Sequence, residues 1–336
     1  MSERINQRAT FVFTWLLAAS VGLLLLGLMV GSTGFETVAN LQRDPQAMMI
    51  VWDIRVPRTL GAWLAGALLG LAGAVAQGLF RNSLADPYLL GSASGASLGV
   101  ALAMALLGVS PLATQWIAKL GLVGAAFIGA VAAVLLTLLL AKGAQHTLRL
   151  LLAGVVVGVV LGAATSLILL LSPDIMLAMQ AFMLGTTAFV GWTACAVMAA
   201  ALAITLAAAW TMSPVLDGLA LGEATAQSLG LQLQQMRAAL IAVLALATGT
   251  AVAQTGLIAF VGLAAPHLVR SVIKTTYGRL IVLSSLMGAV LLVAADVLAR
   301  WLMAPQELPV GVLTAVLGGG YLLWLMHRHN GRGSTL

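Results

Sequence analysis

The chain has 336 residues, of which 61% are hydrophobic and 8% charged, and its mean hydropathy is +1.07. Soluble domains run near 25% charged, so this chain cannot cover a water-facing surface, its solvent must be lipid, and no loop is long enough for an aqueous catalytic domain. The formal charge of +6 is spread over loop ends without a basic cluster and interleaved aromatics, which excludes a nucleic-acid-binding surface.

A helix needs about 20 apolar residues to cross the hydrocarbon core. Nine stretches qualify or nearly do, at roughly 11–30, 59–80, 89–108, 119–141, 149–171, 190–210, 238–255, 280–299 and 310–326. A tenth, 256–269, is apolar but short and suits a half-buried or broken helix. The sequence thus predicts an all-α integral membrane protein of about ten transmembrane helices, with residues 1–336 as a single transmembrane domain. The first apolar run is long and lacks a small-x-small cleavage site, so it reads as a retained helix rather than a signal peptide. With the N-terminus inside, Arg4, Arg8, Arg81, Lys142, Arg149, Arg237, Arg270, Lys274, Arg279, Arg328 and Arg332 fall on the cytoplasmic side. Arg43, Arg55, Arg58, Lys119 and Arg300 fall outside. That division of the 16 Lys and Arg predicts both termini in the cytoplasm.

Glycines recur every four residues at Gly66 and Gly70, at Gly91, Gly95 and Gly99, and at Gly154, Gly158 and Gly162. Such stripes let helix backbones approach closely in lipid; they could also line a translocation path. Ala74-Val75-Ala76-Gln77 recurs as Ala251-Val252-Ala253-Gln254 in a helix of opposite direction, the kind of inverted repeat from which many transporters are built.

Polar groups inside a membrane protein are kept at a cost and mark its work. Asp53-Ile54-Arg55-Val56-Pro57-Arg58 precedes the second span, where Pro57 suits a helix start. Arg55 and Arg58 lie about one turn apart, placed either to anchor the interface or to bind carboxylates. Arg81-Asn82-Ser83-Leu84-Ala85-Asp86-Pro87, between the second and third spans, is an ordinary tight turn or a gate. The longest inner loop, about 211–237, holds a short helix from Glu223 to Leu229 that Gly230 stops. Its apolar Leu221, Ala224 and Leu229 suit a protein partner or the membrane surface. Asp296 and Arg300 sit at i and i+4, where opposite charges meet, with Glu307-Leu308-Pro309 beyond them. Cys195 is the only cysteine, so disulfides play no part, and the four His form no metal-spaced cluster. Asp174 and Ile175–Met183 predict a short outer helix.

Taken together, these segments resemble the iron-chelate and vitamin B12 permease family of ABC importers, the FecCD family. The resemblance is carried by Arg55-Val56-Pro57-Arg58-Thr59-Leu60, Gly73 through Pro87, Leu90-Gly91 with Ser94-Gly95-Ala96, and Arg149 through Gly154. Further carriers are Leu221-Gly222-Glu223, Gly256 through Leu263, Pro266-His267 and Glu307-Leu308-Pro309-Val310-Gly311. It implies a type II importer permease fold in the bacterial inner membrane. It also implies a second copy of the chain, two cytoplasmic ATPase subunits and a periplasmic binding protein. Carried onto this sequence, the binding-protein contacts fall on Arg55, Arg58 and Arg300, and the cytoplasmic gates on Asn82 and Leu84 and on Thr147 and Leu148. The coupling segment falls on roughly 219–231, with Leu219, Leu221, Gly222, Glu223, Ala224 and Gly230, and Glu223 near the ATPase. Two positions depart from the family pattern: Ser83 stands where Pro is usual, and Leu148 is apolar where small polar residues are common. The chain has no G-x-x-x-x-G-K-[ST] motif, so ATP hydrolysis is expected on a partner, and the resemblance implies a permease subunit rather than an enzyme. It binds no cofactor, and ATP and Mg belong to the partner. The implied cargo is an iron chelate, a ferric siderophore or haem, with cobalamin as the alternative. A secondary transporter driven by protons or sodium needs ionisable groups near the midplane, where Asp296 is the closest candidate.

Overall fold

The computed structural model describes residues 2–31, 34–35, 45–108, 116–143, 147–228, 230 and 232–330. Arg43, His146, Leu229 and Arg332 lie outside them. The described residues are almost wholly helical, apart from one two-residue antiparallel pairing of Val30–Gly31 with Gly34–Phe35. In chain order the helices are α1 (Ser2–Met29), α2 (Pro45–Ile50), α3 (Val56–Leu79), α4 (Ser92–Leu107), α5 (Trp116–Leu140), α6 (Thr147–Leu171) and α7 (Met176–Leu184). There follow α8 (Trp192–Thr211), α9 (Ser213–Ala220), α10 (Glu223–Ser228), α11 (Leu233–Thr255), α12 (Val261–Val272), α13 (Tyr277–Trp301) and α14 (Val310–Asn330). Seven are long and apolar enough to cross a membrane. The other three expected positions hold α4, α14 and the 12-residue α12, which rises only about 18 Å. The short helix expected at Ile175–Met183 is α7, preceded by a single 3-10 turn at Pro173–Ile175.

The centre of the fold is α3, which is buried along nearly its whole length. It packs against α13, α12, α11 and α8. Glycine makes the closest of these approaches: a Cβ on Gly66 would lie 2.3 Å from the Gly288 carbonyl oxygen, and one on Gly73 would lie 1.7 Å from that of Gly262. The second stripe works the same way, since Gly95 and Gly129 face each other's carbonyls across α4 and α5. The third divides. Gly154 sits against Leu89, whereas Gly162 has no neighbouring atom within 4 Å of a built Cβ. Close packing therefore explains most of the pattern.

A π-helical turn, Val51–Arg55, leads directly into α3. Pro57 has no N–H to donate, and its ring crowds the carbonyl of the preceding turn, which favours this wider turn over a regular α-helical entry. The consequence is that Arg55 and Arg58 leave the helix toward different neighbours.

The two halves of the sequence echo lie in helices α3 and α11, buried except for Gln254. Each is followed by a tight connection with a left-handed non-glycine residue, Arg81 after α3 (φ 50°) and Phe260 after α11 (φ 69°). Each connection then delivers a shorter helix, α4 or α12.

Candidate functional site

Polar side chains gather at the two ends of α3, about 36 Å apart for 24 residues. At the first end, Arg58 donates from Nε and Nη2 to Asp296 Oδ1, at 3.2 Å each. Its Nη1 donates to Glu307 Oε1 at 3.0 Å and Oε2 at 2.8 Å. Arg300, one turn beyond Asp296 on α13, donates to Asp296 Oδ2 and, at 3.2 Å, to Thr59 Oγ1. Its Nη1 donates to the carbonyls of Gly27 at 2.9 Å and Val30 at 3.1 Å. Gly27 lies in the last turn of α1, where helix carbonyls lack intrahelical donors, and Val30 directly follows that helix. Thr187 also donates to Asp296 Oδ1.

Asp296 is 0% exposed. A buried charge persists only when paired and hydrogen-bonded. Here two guanidinium groups balance two carboxylates and tie α1, α3 and α13 to the segment before α14. The Glu307 side chain, 27% exposed, is the most open member. Arg55 is set apart: its Nη1 donates to the Leu28 carbonyl at 3.3 Å. Arg58 and Arg300 are thus brought together, and all three arginines are buried, with their side chains engaged inside this chain. The i,i+4 pairing of Asp296 with Arg300 is present.

At the other end, α3 stops at Leu79 and the chain turns through Arg81. Asn82 Oδ1 accepts the Leu84 N–H at 2.9 Å, and the Ala85 N–H bonds to the Asn82 carbonyl at 3.0 Å. This Asx turn leaves Leu84 exposed. Asp86 Oδ1 accepts the Tyr88 N–H at 2.8 Å, and Tyr88 Oη donates to the Ile258 carbonyl at 3.1 Å. Desolvation raises the pKa of Asp86, against a lowering by the Tyr88 N–H. Tyr88 is raised too, by burial and then by the charge of Asp86.

The 211–237 loop is more helical than its sequence suggested. Most of 213–228 is taken up by α9 and α10, and Pro214 in the first turn of α9 is the helix-start signal that marks it. Val215, Leu216 and Leu219 are buried beneath the segment. Leu219 therefore positions the segment and cannot itself touch a partner, whereas Leu221 and Ala224 are exposed. Gly222 (φ 110°) makes the corner between the helices, and Gly230 (φ 79°) follows α10. Glu223, 34% exposed, accepts from Arg81 Nη2 at 3.1 Å and from Arg237 Nη2 at 2.6 Å.

Thr147 and Leu148 open α6, with Leu148 exposed. Among the described residues, no hydrogen bond or ion pair joins them to Asn82–Leu84. A cavity of about 360 Å³ lies among α5, α7, α8 and α11; Phe182, Thr186, Phe189, Thr193, Gln254 and Thr255 are on its walls. Of these, the sequence singled out only Gln254 and Phe182, neither as a cavity residue. The described residues hold no cluster of His, Cys, Asp or Glu that could bind a metal.

Comparison with known proteins decides what these clusters belong to. The family model described as the FecCD transport family matches residues 16–328. The chain belongs to the FecCD transport family. It is 36% identical over 332 residues to the haemin transport system permease protein HmuU of Yersinia pestis, covering 98% of both chains. It is 38% identical over 315 residues to the vitamin B12 import system permease protein BtuC of Shigella boydii, covering 93% of this chain and 94% of that one. Among solved structures, a metal-chelate type ABC transporter in an inward-facing conformation matches with a TM-score of 0.83. It is 26% identical and covers 95% of this chain and 99% of the other. PsaBC from Streptococcus pneumoniae matches with a TM-score of 0.58 at 19% identity, covering 85% and 92%, which supports the fold alone. As a FecCD member the chain is a multi-pass ABC transporter permease with the type II importer fold. The expected fold class and family are borne out.

Proposed function

We propose that this FecCD permease forms the membrane path of an importer for an iron chelate, a ferric siderophore or haem. In this reading it pairs with a second copy, two cytoplasmic ATPase subunits bearing ATP and Mg, and a periplasmic binding protein. It sits in the bacterial inner membrane with both termini inside. The observation that carries the reading is the near-full-length similarity to the haemin permease HmuU. The comparable similarity to BtuC keeps cobalamin as the alternative cargo.

The cluster of Arg58 and Arg300, with Arg55 beside it, is the proposed docking rim. Because Arg58 already holds Glu307, a carboxylate of the binding protein would compete with this internal partner. Asn82 with Leu84, and Thr147 with Leu148, are the proposed cytoplasmic gates. Leu221, Gly222, Glu223, Ala224 and Gly230, over buried Leu219, form the proposed coupling surface. Exposure of Leu221 and Ala224 supports it, since apolar side chains on a water-facing segment suit a protein contact.

The test is uptake of labelled haemin, ferric siderophores and cobalamin in a strain deleted for this chain and in its complemented parent. Loss of an iron chelate, restored by complementation, is expected. Loss of cobalamin alone moves the assignment to the alternative, and loss of none contradicts both.

A further inference from the structure

Two polar routes run from the α9–α10 segment to the inner end of α3. The first is direct: Glu223, at the start of α10, accepts from Arg81, the left-handed residue that turns the chain after α3. The same oxygen accepts from Arg237 in the first turns of α11. The second is a relay. Asp217 on α9 accepts the Tyr277 N–H at 2.9 Å at the start of α13. Tyr277 Oη and Arg270 of α12 lie 3.4 Å apart, and Arg270 donates to Gln77 Oε1 on α3. Gln77 in turn donates to the Leu263 carbonyl at 3.1 Å. Both routes end one helical turn apart, at residues 77 and 81, on either side of the end of α3. The next residues are the Asx turn that presents Leu84.

We propose that Glu223 is a positioning residue that ties the coupling segment to the turn 81–84, so that displacement of α9–α10 moves the turn with it. The proposal rests on the importer reading and deepens it. It gives the Glu223 carboxylate an internal task in place of a contact with the ATPase. Stability alone does not account for the pair: the Arg81 side chain is 42% exposed, and ion pairs so open to water contribute little to folding. Buried Leu216 also packs beside Gly78, so an apolar contact competes as the carrier of the movement.

The test is cysteine accessibility in the assembled transporter, reconstituted with its ATPase subunits. Leu84→Cys is labelled from the cytoplasmic side with a maleimide, with and without ATP and Mg. In the otherwise unaltered chain the labelling rate is expected to change with nucleotide. In Glu223→Gln and in Arg81→Gln that change is expected to be lost, while ATPase co-purification and basal hydrolysis persist in Arg81→Gln, which lies outside the proposed coupling surface. Arg81→Lys keeps the charge and is expected to retain it. The double variant Glu223→Gln with Arg81→Gln is expected to be no worse than either single one, as for one shared interaction. Loss of co-purification in Glu223→Gln would overturn the proposal in favour of a direct ATPase contact. An intact nucleotide response in that variant would overturn it in favour of the apolar contact. Absence of any response without these substitutions would overturn the importer reading beneath it.

Discussion

Asp296 holds the cluster at the first end of α3 together, because both arginines and Thr187 converge on it. Removing one partner from a buried ion pair is costly because it strands the others. Asp296→Ala is therefore expected to destabilise the protein by about 3–5 kcal/mol, read as a lowered thermal midpoint in detergent; an unchanged midpoint would contradict the burial argument. Glu307 differs, since its side chain is partly open and its removal leaves Arg58 still bound to Asp296. Glu307→Gln is expected to fold normally and to bind the binding protein more tightly, measured by titration of stimulated ATP hydrolysis. Weaker or unchanged binding would contradict competition at the rim. At the turn after α3, Asp86 has a raised pKa from desolvation. A carboxyl whose folded pKa is raised opposes folding once ionised, so its contribution to stability is lost as pH rises through the folded value. Asn keeps an acceptor for the Tyr88 N–H. Asp86→Asn is thus expected to raise the thermal midpoint at neutral pH, with the gain shrinking as pH falls and the wild-type carboxyl protonates. A gain that grows on acidification would reverse the assigned sign.

At the scale of elements, glycine spacing carried much of the packing into the sequence. It did not say which partner each stripe meets. Gly73→Ala places a methyl group against the Gly262 backbone, which cannot swing aside as a side chain can. Overpacking of this kind typically costs about 1–3 kcal/mol or more, so the variant is expected to express poorly. Gly162→Ala, in open space and within a helix, is expected to be tolerated; paired expression and thermal melts distinguish the two. Equal behaviour would mean that the stripes are not read by local contact. The helical spans were legible for the same physical reason throughout: crossing lipid requires a long apolar run. Helix α9 was not, because a Ser-Pro pair at the end of a span looks like a breaker, although it sits where a helix begins. The pairing of Asp296 with Arg300 was legible from i,i+4 spacing. Its pairing with Arg58, 238 residues away, and that of Glu223 with Arg81, 142 residues away, were not, because tertiary packing alone sets such contacts. The π turn before Pro57 had a visible cause in the proline but no visible outcome for Arg55.

For the whole molecule, family membership and the placement of polar groups agree. The lipid-solvated body is apolar, and its main charged clusters lie at opposite ends of one buried helix. One end is the proposed docking rim. The other joins the proposed coupling segment to a turn that presents Leu84. A transporter needs its states to differ in interaction energy with what drives them, and in this account ATP supplies that difference through a partner. An ion-coupled carrier would instead use an ionisable group along the path, but Asp296 is already engaged by two arginines and a threonine. The most direct measurement is accumulation of labelled haemin in proteoliposomes holding this chain, its ATPase subunits and its binding protein. The account predicts accumulation that requires ATP and Mg and persists when proton and sodium gradients are collapsed. Accumulation without ATP that disappears with an uncoupler would contradict it.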